Sequence, residues 1–233
     1  MCTHYAFTMS IEALRRMFNL SVHFEYPTRY NIAPNQIAPI IARVDAENAP
    51  LMARWGFARP GADVRPVNAR AETVATSPLF KGAFRAHRCV VPASGFFEPR
   101  KKSGMKKGDQ QWYFQADEDV LPLAGIYAPP EDENDPPTFA VITTEPDKIV
   151  GTIHQRMPAI LARSECEAWL DTSREDAGTL LELLHPTTPD GFRKHRVNMD
   201  YVNRPSMHVG PECIEPVEHK DADADGQGTL FAV

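Results

Sequence analysis

Arg88-Cys-Val-Val-Pro92, Gly95-Phe-Phe-Glu98, Gln111-Trp-Tyr-Phe-Gln-Ala116 and Leu121-Pro-Leu-Ala-Gly-Ile-Tyr127 follow one another with only turn residues and loops between them. Such short apolar runs, broken by Pro, Gly, Ser and Asp, read as strands and turns. Arg88 to Pro92 and Gly95 to Glu98 read as strand and turn. Residues 101–110 (KKSGMKKGDQ) read as a basic hairpin loop, with 111–116 and 121–127 as its flanking strands. Strands here are not separated by crossover helices, so an α+β fold is favoured over a doubly wound parallel sheet.

The flanks agree with this reading. Before it, Ser10-Ile-Glu-Ala-Leu-Arg-Arg-Met-Phe18 has an N-cap residue, an acid in the first turn, and Ile11, Leu14 and Phe18 on one face, which predicts a short helix. Residues 38–44 and 51–57 read as strands. Ser77-Pro78 predicts a helix running to about His87. After it, residues 129–137 (PPEDENDPP) form an acidic surface loop and Phe139 to Thr144 a buried strand. Ser164-Glu-Cys-Glu167 resembles a capping box before a short helix, and a further helix is expected over 174–184. No internal repeat appears. One domain is expected over 2–218, followed by a flexible acidic tail over 219–233.

The chain has 233 residues, 42% hydrophobic and 24% charged, which is ordinary globular composition. It has 21 prolines, about 9% against a usual ~5%, so turns and short strands are expected over long helices. No apolar run is long enough for a transmembrane helix, and the first residues lack a secretory pattern. Cys2, Cys89, Cys166 and Cys213 are far apart without a CxxC, which argues against a zinc ribbon and against a disulfide framework and suits a reducing cytoplasm. The net charge of −6 conceals a split: residues 1–107 carry 16 Lys+Arg against 7 Asp+Glu, whereas residues 108–233 carry 9 against 24. A basic face suited to phosphates is therefore compatible with an acidic protein.

Several residues can carry chemistry. Cys2, once Met1 is removed, presents an α-amine and a thiol on one residue. That aminothiol condenses with an aldehyde first as a Schiff base, then as a five-membered thiazolidine. An α-amine titrates near ~7.7–8.0, so part of it is neutral at pH 7. Asn68, Arg70 and Glu72 alternate and in an extended segment share one side. Asn68 can orient a substrate oxygen and Arg70 can hold a phosphate; an Arg70–Glu72 salt bridge is the plainer alternative. Glu98 follows two phenylalanines, where a carboxyl can shuttle protons, or it is an exposed strand end. His154 is a general acid–base candidate or a structural histidine. Cys89 reads as core.

Taken together, these residues resemble the SOS response-associated peptidase (SRAP) family. The matching segments are Met1-Cys2, Arg29-Tyr-Asn-Ile-Ala-Pro34 with Gln36, Trp55-Gly56, Asn68-Ala-Arg-Ala-Glu-Thr73, Phe84, Arg88-Cys89, Pro92 to Glu98, Ile142-Thr-Thr144 and His154-Gln-Arg-Met-Pro158. The resemblance implies a single α+β domain around a twisted, barrel-like antiparallel sheet with peripheral helices. It implies an enzyme in which Cys2 forms a thiazolidine crosslink with an abasic site in single-stranded DNA, shielding the lesion. A weak lyase activity can accompany the crosslinking. Asn68 would orient Cys2, Glu98 would transfer protons, and His154 would assist sugar-ring opening. Arg70, Arg156, Asn31, Pro34 and Trp55 would contact the DNA, Trp55 as an aromatic platform.

The chain departs from the usual family pattern at Thr3-His4, where Gly-Arg is common and where His4 would make a pH-dependent contact. It departs again at Phe57-Ala-Arg-Pro60, which lacks a second Trp, and at Pro99, where Trp is frequent. Gln227-Gly-Thr-Leu-Phe231 resembles a sliding-clamp docking motif, with Gln227, Leu230 and Phe231 as its contacts. No metal or organic cofactor is expected, and the protein is expected as a monomer in the bacterial cytoplasm. An N-terminal cysteine peptidase and a non-covalent DNA-binding module remain open as alternatives.

Overall fold

A computed structural model describes residues 2–58, 65–100, 110–130, 132, 134–174, 176–204 and 209–217. The chain begins with β1 (His4–Phe7), and Ser10 then caps α1 (Ile11–Phe18), its hydroxyl accepting from the Ala13 amide at 3.1 Å. Leu14 and Phe18 are buried, as the spacing predicts. β2 (Arg29–Ile32) leads to the hairpin of β3 (Ile37–Val44) and β4 (Glu47–Trp55). Its two-residue turn, Asp45-Ala46, has φ of 46° and 68°, the geometry of a type I′ turn. β5 (Asn68–Arg70), α2 (Ala71–Val74) and α3 (Lys81–Ala86) follow. The helix expected from Ser77 begins only at Lys81. The Ser77 carbonyl instead accepts from the Phe80 and Lys81 amides and closes a turn.

Residues 88–98 are not one strand and a turn but two strands, β6 (Arg88–Ala93) and β7 (Gly95–Pro99). Ser94 passes the chain from one sheet to the other; its amide donates to the Ala6 carbonyl and its hydroxyl accepts from the Thr8 amide. β8 (Gln111–Gln115) pairs with β7, and β9 (Leu121–Ala128) pairs with β6. The basic loop is therefore flanked by β7 and β8, not by 111–116 and 121–127, and its residues 101–109 lie outside the described residues. Close approach fixes Gly95: a Cβ there would meet Tyr113 Oη at 2.4 Å and the Phe114 carbonyl at 2.5 Å.

β10 (Thr138–Thr144) is buried throughout, as expected, and β11 (Met157–Pro158) pairs with its end. α4 (Cys166–Leu170) starts without a Ser164 cap; Glu165 instead turns back to accept from the Ala162 amide at 2.7 Å. α5 (Ala177–Glu182) is shorter than expected and capped by Asp176, and β12 (Arg193–Val197) and α6 (Met199–Asn203) complete the described elements.

β10, β4, β3, β6 and β9 hydrogen-bond in a closed ring, because β9 also pairs with β10. This is the expected barrel. Its pairs are antiparallel except that of β10 with β4, and β5 also runs parallel to β10. A second antiparallel sheet runs β12-β8-β7-β1-β2. The main core lies between barrel and sheet, where Tyr5 meets Trp55 edge-on at 5.1 Å and Trp55 stacks on Phe139 at 6.1 Å. Residues 219–233, with Gln227, Leu230 and Phe231, lie outside the described residues.

Candidate active site

The site forms at the seam between the two sheets. From the second sheet come Cys2, just before β1, and Glu98 on the neighbouring β7; His4 opposite Phe97 sets the register. From the barrel side come Asn68, which opens β5 beside Val141 of β10, and His154, between a 3-10 turn at Val150–Thr152 and β11. Alternation in β5 turns Ala69 into the core and leaves Asn68 free to reach across. Its Nδ2 donates to the Cys2 carbonyl at 2.8 Å. All four expected catalytic residues are thus brought together.

Cys2 and Glu98 are both fully buried. Burial pushes the Cys2 thiol well above its usual range, and the Glu98 carboxylate adds to that shift; the chain's N-terminal charge and backbone hydrogen bonds oppose it. Cys2 therefore waits as a thiol, with Sγ 3.4 Å from the His4 carbonyl oxygen that it donates to. His154 Nδ1 lies 3.6 Å from Glu98 Oε2 and accepts from the Arg156 amide at 3.2 Å. A carboxylate beside an imidazole is a place where one proton can be held and passed.

Other expected residues occupy different roles. Trp55 is fully buried, with both its ring contacts in the core and its Nε1 donating to the Val67 carbonyl at 2.9 Å. It cannot serve as an exposed platform for a base. Asn31 is also buried, and its Nδ2 donates to the Tyr201 and Val202 carbonyls, tying β2 to α6. Pro34 is half-buried just before β3, and Arg70 is exposed at the end of β5, on the Asn68 side of the strand. The Asn68–Arg70–Glu72 alternation stops at Arg70, because Glu72 belongs to α2. The Glu72 carboxylate pairs with Arg156 through both terminal guanidinium nitrogens, so the alternative of an Arg70–Glu72 bridge gives way to a link between α2 and the His154 loop. Arg156 also donates to the Thr143 carbonyl, which makes it a strut of the site more than a free phosphate ligand. Burial lowers the His4 imidazole to about 4, so His4 is neutral at pH 7 and offers no cationic contact there. Among the described residues no cluster of His, Cys, Asp and Glu is arranged to hold a metal ion.

Sequence reading missed the surroundings of Glu98. Trp112 stands opposite it on β8, and Arg196 stands opposite Trp112 on β12. The signal was the basic run Arg193-Lys-His-Arg196, hidden in the acidic half of the chain.

A family model described as "SOS response associated peptidase (SRAP)" matches residues 1–205. A Bacillus subtilis protein named abasic site processing protein YoqW is 29% identical over 228 residues, covering 92% of this chain and 99% of that protein. The Xenopus tropicalis abasic site processing protein HMCES is 28% identical, covering 83% of this chain and 67% of its own. A crystal structure of a Bacteroides thetaiotaomicron protein superposes with a TM-score of 0.74 at 25% identity, covering 93% of this chain and all of that one.

Proposed function

This chain belongs to the SOS response associated peptidase family, and from that premise we propose that it acts on abasic sites in single-stranded DNA, trapping them covalently through Cys2. The relatives named abasic site processing proteins support the abasic-site role. The observation that carries the covalent reading is the burial of Cys2 beside Glu98, with Asn68 holding its carbonyl at 2.8 Å.

The chemistry requires Met1 to be removed first, freeing the Cys2 amine. The ring-opened deoxyribose presents an aldehyde at C1′. The neutral amine adds to that carbon, and the aldehyde oxygen takes up a proton. Loss of water from the carbinolamine, with the Glu98–His154 pair relaying a proton to the leaving hydroxyl, gives the Schiff base. Sulfur then adds to the same carbon, its proton ends on the ring nitrogen, and the thiazolidine closes. Aldehyde plus aminothiol gives thiazolidine plus one water. Glu98, whose carboxylate lies near the buried Cys2 thiol, is the base placed to take the thiol proton as sulfur attacks the Schiff base. Asn68 fixes the Cys2 backbone so that amine and thiol meet one carbon, a gain in orientation over free cysteine.

A cysteine peptidase needs a thiolate at rest. Burial and the Glu98 charge act against one, so peptide hydrolysis is the weaker reading.

The test is a denaturing gel of purified protein with single-stranded DNA bearing one abasic site, with Met1 removal checked by mass spectrometry. Wild type should give a heat-stable slow band absent with undamaged DNA. Cys2→Ala keeps an α-amine and should give only an adduct that borohydride must trap. An equal stable band from Cys2→Ala, or none from processed wild type, overturns the covalent reading.

A further inference from the structure

The second sheet carries a cationic row that leads away from Glu98. Glu98 on β7 faces Trp112 on β8, and Trp112 faces Arg196 on β12, so cross-strand pairing sets these side chains on one face. Alternation puts Lys194 on that face with Arg196, and the chain beyond β7 puts Arg100 there with Glu98. Lys194 Nζ sits 5.2 Å from the centre of the Trp112 ring. It also donates to the Thr152 hydroxyl in the turn before His154, so the row adjoins the active site from both sheets. Among the described residues, Glu98 and Asp147 are acids that adjoin the row. Glu98 belongs to the Cys2 pocket, and Asp147 is engaged by the Val150 amide and the Thr188 hydroxyl.

Two donors on this row, Trp112 Nε1 and Arg196 Nε, have no acceptor among the described residues. Buried donors of this kind call for an oxygen. Three cations, an indole and two unused donors suit an anionic backbone threaded past a base-sized ring. Three strand spacings of about 4.8 Å separate β1 from β12, so the row extends roughly 14 Å from Cys2. At the duplex spacing of about 3.4 Å per phosphate, that reach covers no more than about four phosphates.

We infer that Arg196, Lys194 and Arg100, around Trp112, form a subsite for the phosphodiester backbone on one side of the trapped sugar. This rests on the DNA reading above and adds which face of the protein the flanking strand follows. Arg156 is committed to Glu72, so the subsite supplies phosphate contacts that Arg156 does not.

The experiment uses the full chain and the variants Arg196→Gln and Arg196→Lys, with circular dichroism to confirm folding. Binding to an undamaged single-stranded oligonucleotide is measured from low to moderate salt, which reads the subsite without the covalent step. Arg196→Gln should weaken binding on the order of tenfold and make the salt slope shallower by about 0.7, the value for one phosphate contact to a single strand. Arg196→Lys should recover most of the slope. Crosslinking is then timed on two oligonucleotides, one with nucleotides only 5′ of the abasic sugar and one only 3′. Arg196→Gln should slow one and leave the other at the wild-type rate. Adduct formation with a small aldehyde such as glyceraldehyde should be unchanged, since such a substrate carries no flanking phosphates to engage Arg196. An unchanged salt slope, or equal slowing on both oligonucleotides, overturns the subsite. Failure of wild type to crosslink abasic DNA while the slope still changes overturns the covalent reading and leaves the subsite standing.

Discussion

His4 shows how a single side chain can tie pH to stability. Its imidazole titrates near 4 in the fold because burial disfavours the charged ring, against about 6.5 when exposed. Between those values the unfolded chain binds a proton that the folded chain does not. Stability is therefore full above about pH 6.5 and falls as pH drops toward 4, by roughly 2–3 kcal/mol. His87 is shifted in the same direction by burial and adds to the trend. Urea midpoints at pH 7 and 4.5 check this. His4→Asn should shrink the loss between them by about 2 kcal/mol, and an identical loss in variant and wild type would refute it. At this scale the sequence was informative where chemistry restricts the residue type. Only a residue like Cys2 offers an aminothiol, and Asn68, Glu98 and His154 gather around it. It was uninformative where one side chain suits two environments. An indole can be a base platform or a core ring, and Trp55 is the latter because Tyr5 and Phe139 enclose it.

Among the elements, Arg88 is the joint. It opens β6, is fully buried, and its guanidinium donates to the carbonyls of Phe84, Arg85, Trp169, Asp171 and Arg174. These lie where α3 and α4 end, and helix ends leave carbonyls without intrahelical partners. One side chain therefore closes two helices onto the barrel. Arg88→Met keeps much of the volume but strands those carbonyls, and should cost about 3–5 kcal/mol, read from the urea midpoint. A cost below 1 kcal/mol would mean the helix ends find water instead. Elements were legible when their signals were local. The cap at Ser10 and the buried run of β10 fall in this class. The β3–β4 hairpin was not legible as one, because Asp45-Ala46 replaces the Asn-Gly or Asp-Gly that marks a type I′ turn. The crossing at Ser94 was hidden too, since its hydrogen-bond partners Ala6 and Thr8 lie more than eighty residues earlier in the chain.

The whole molecule matters because the candidate active site belongs to neither sheet alone. Cys2 leads into β1 and Glu98 lies on β7, while Asn68 and His154 hang from β10 through β5 and β11. The Glu72–Arg156 pair joins the two barrel-side segments, and the Asn68–Cys2 hydrogen bond crosses the seam. Buried aromatic rings from both sheets share the core behind it. A site assembled this way exists only while the sheets are docked, and a shared core makes their separation cooperative. Crosslinking yield and near-ultraviolet circular dichroism should therefore fall together as urea rises, with midpoints agreeing within error. Loss of crosslinking at clearly lower urea would mean that the seam opens locally while the core persists, as low-stability regions do. In that case Glu72→Gln, which removes a barrel-side strut without touching the core, should move the crosslinking midpoint further down and leave the spectroscopic one in place. If docking and folding are one event, it should leave the two midpoints coincident.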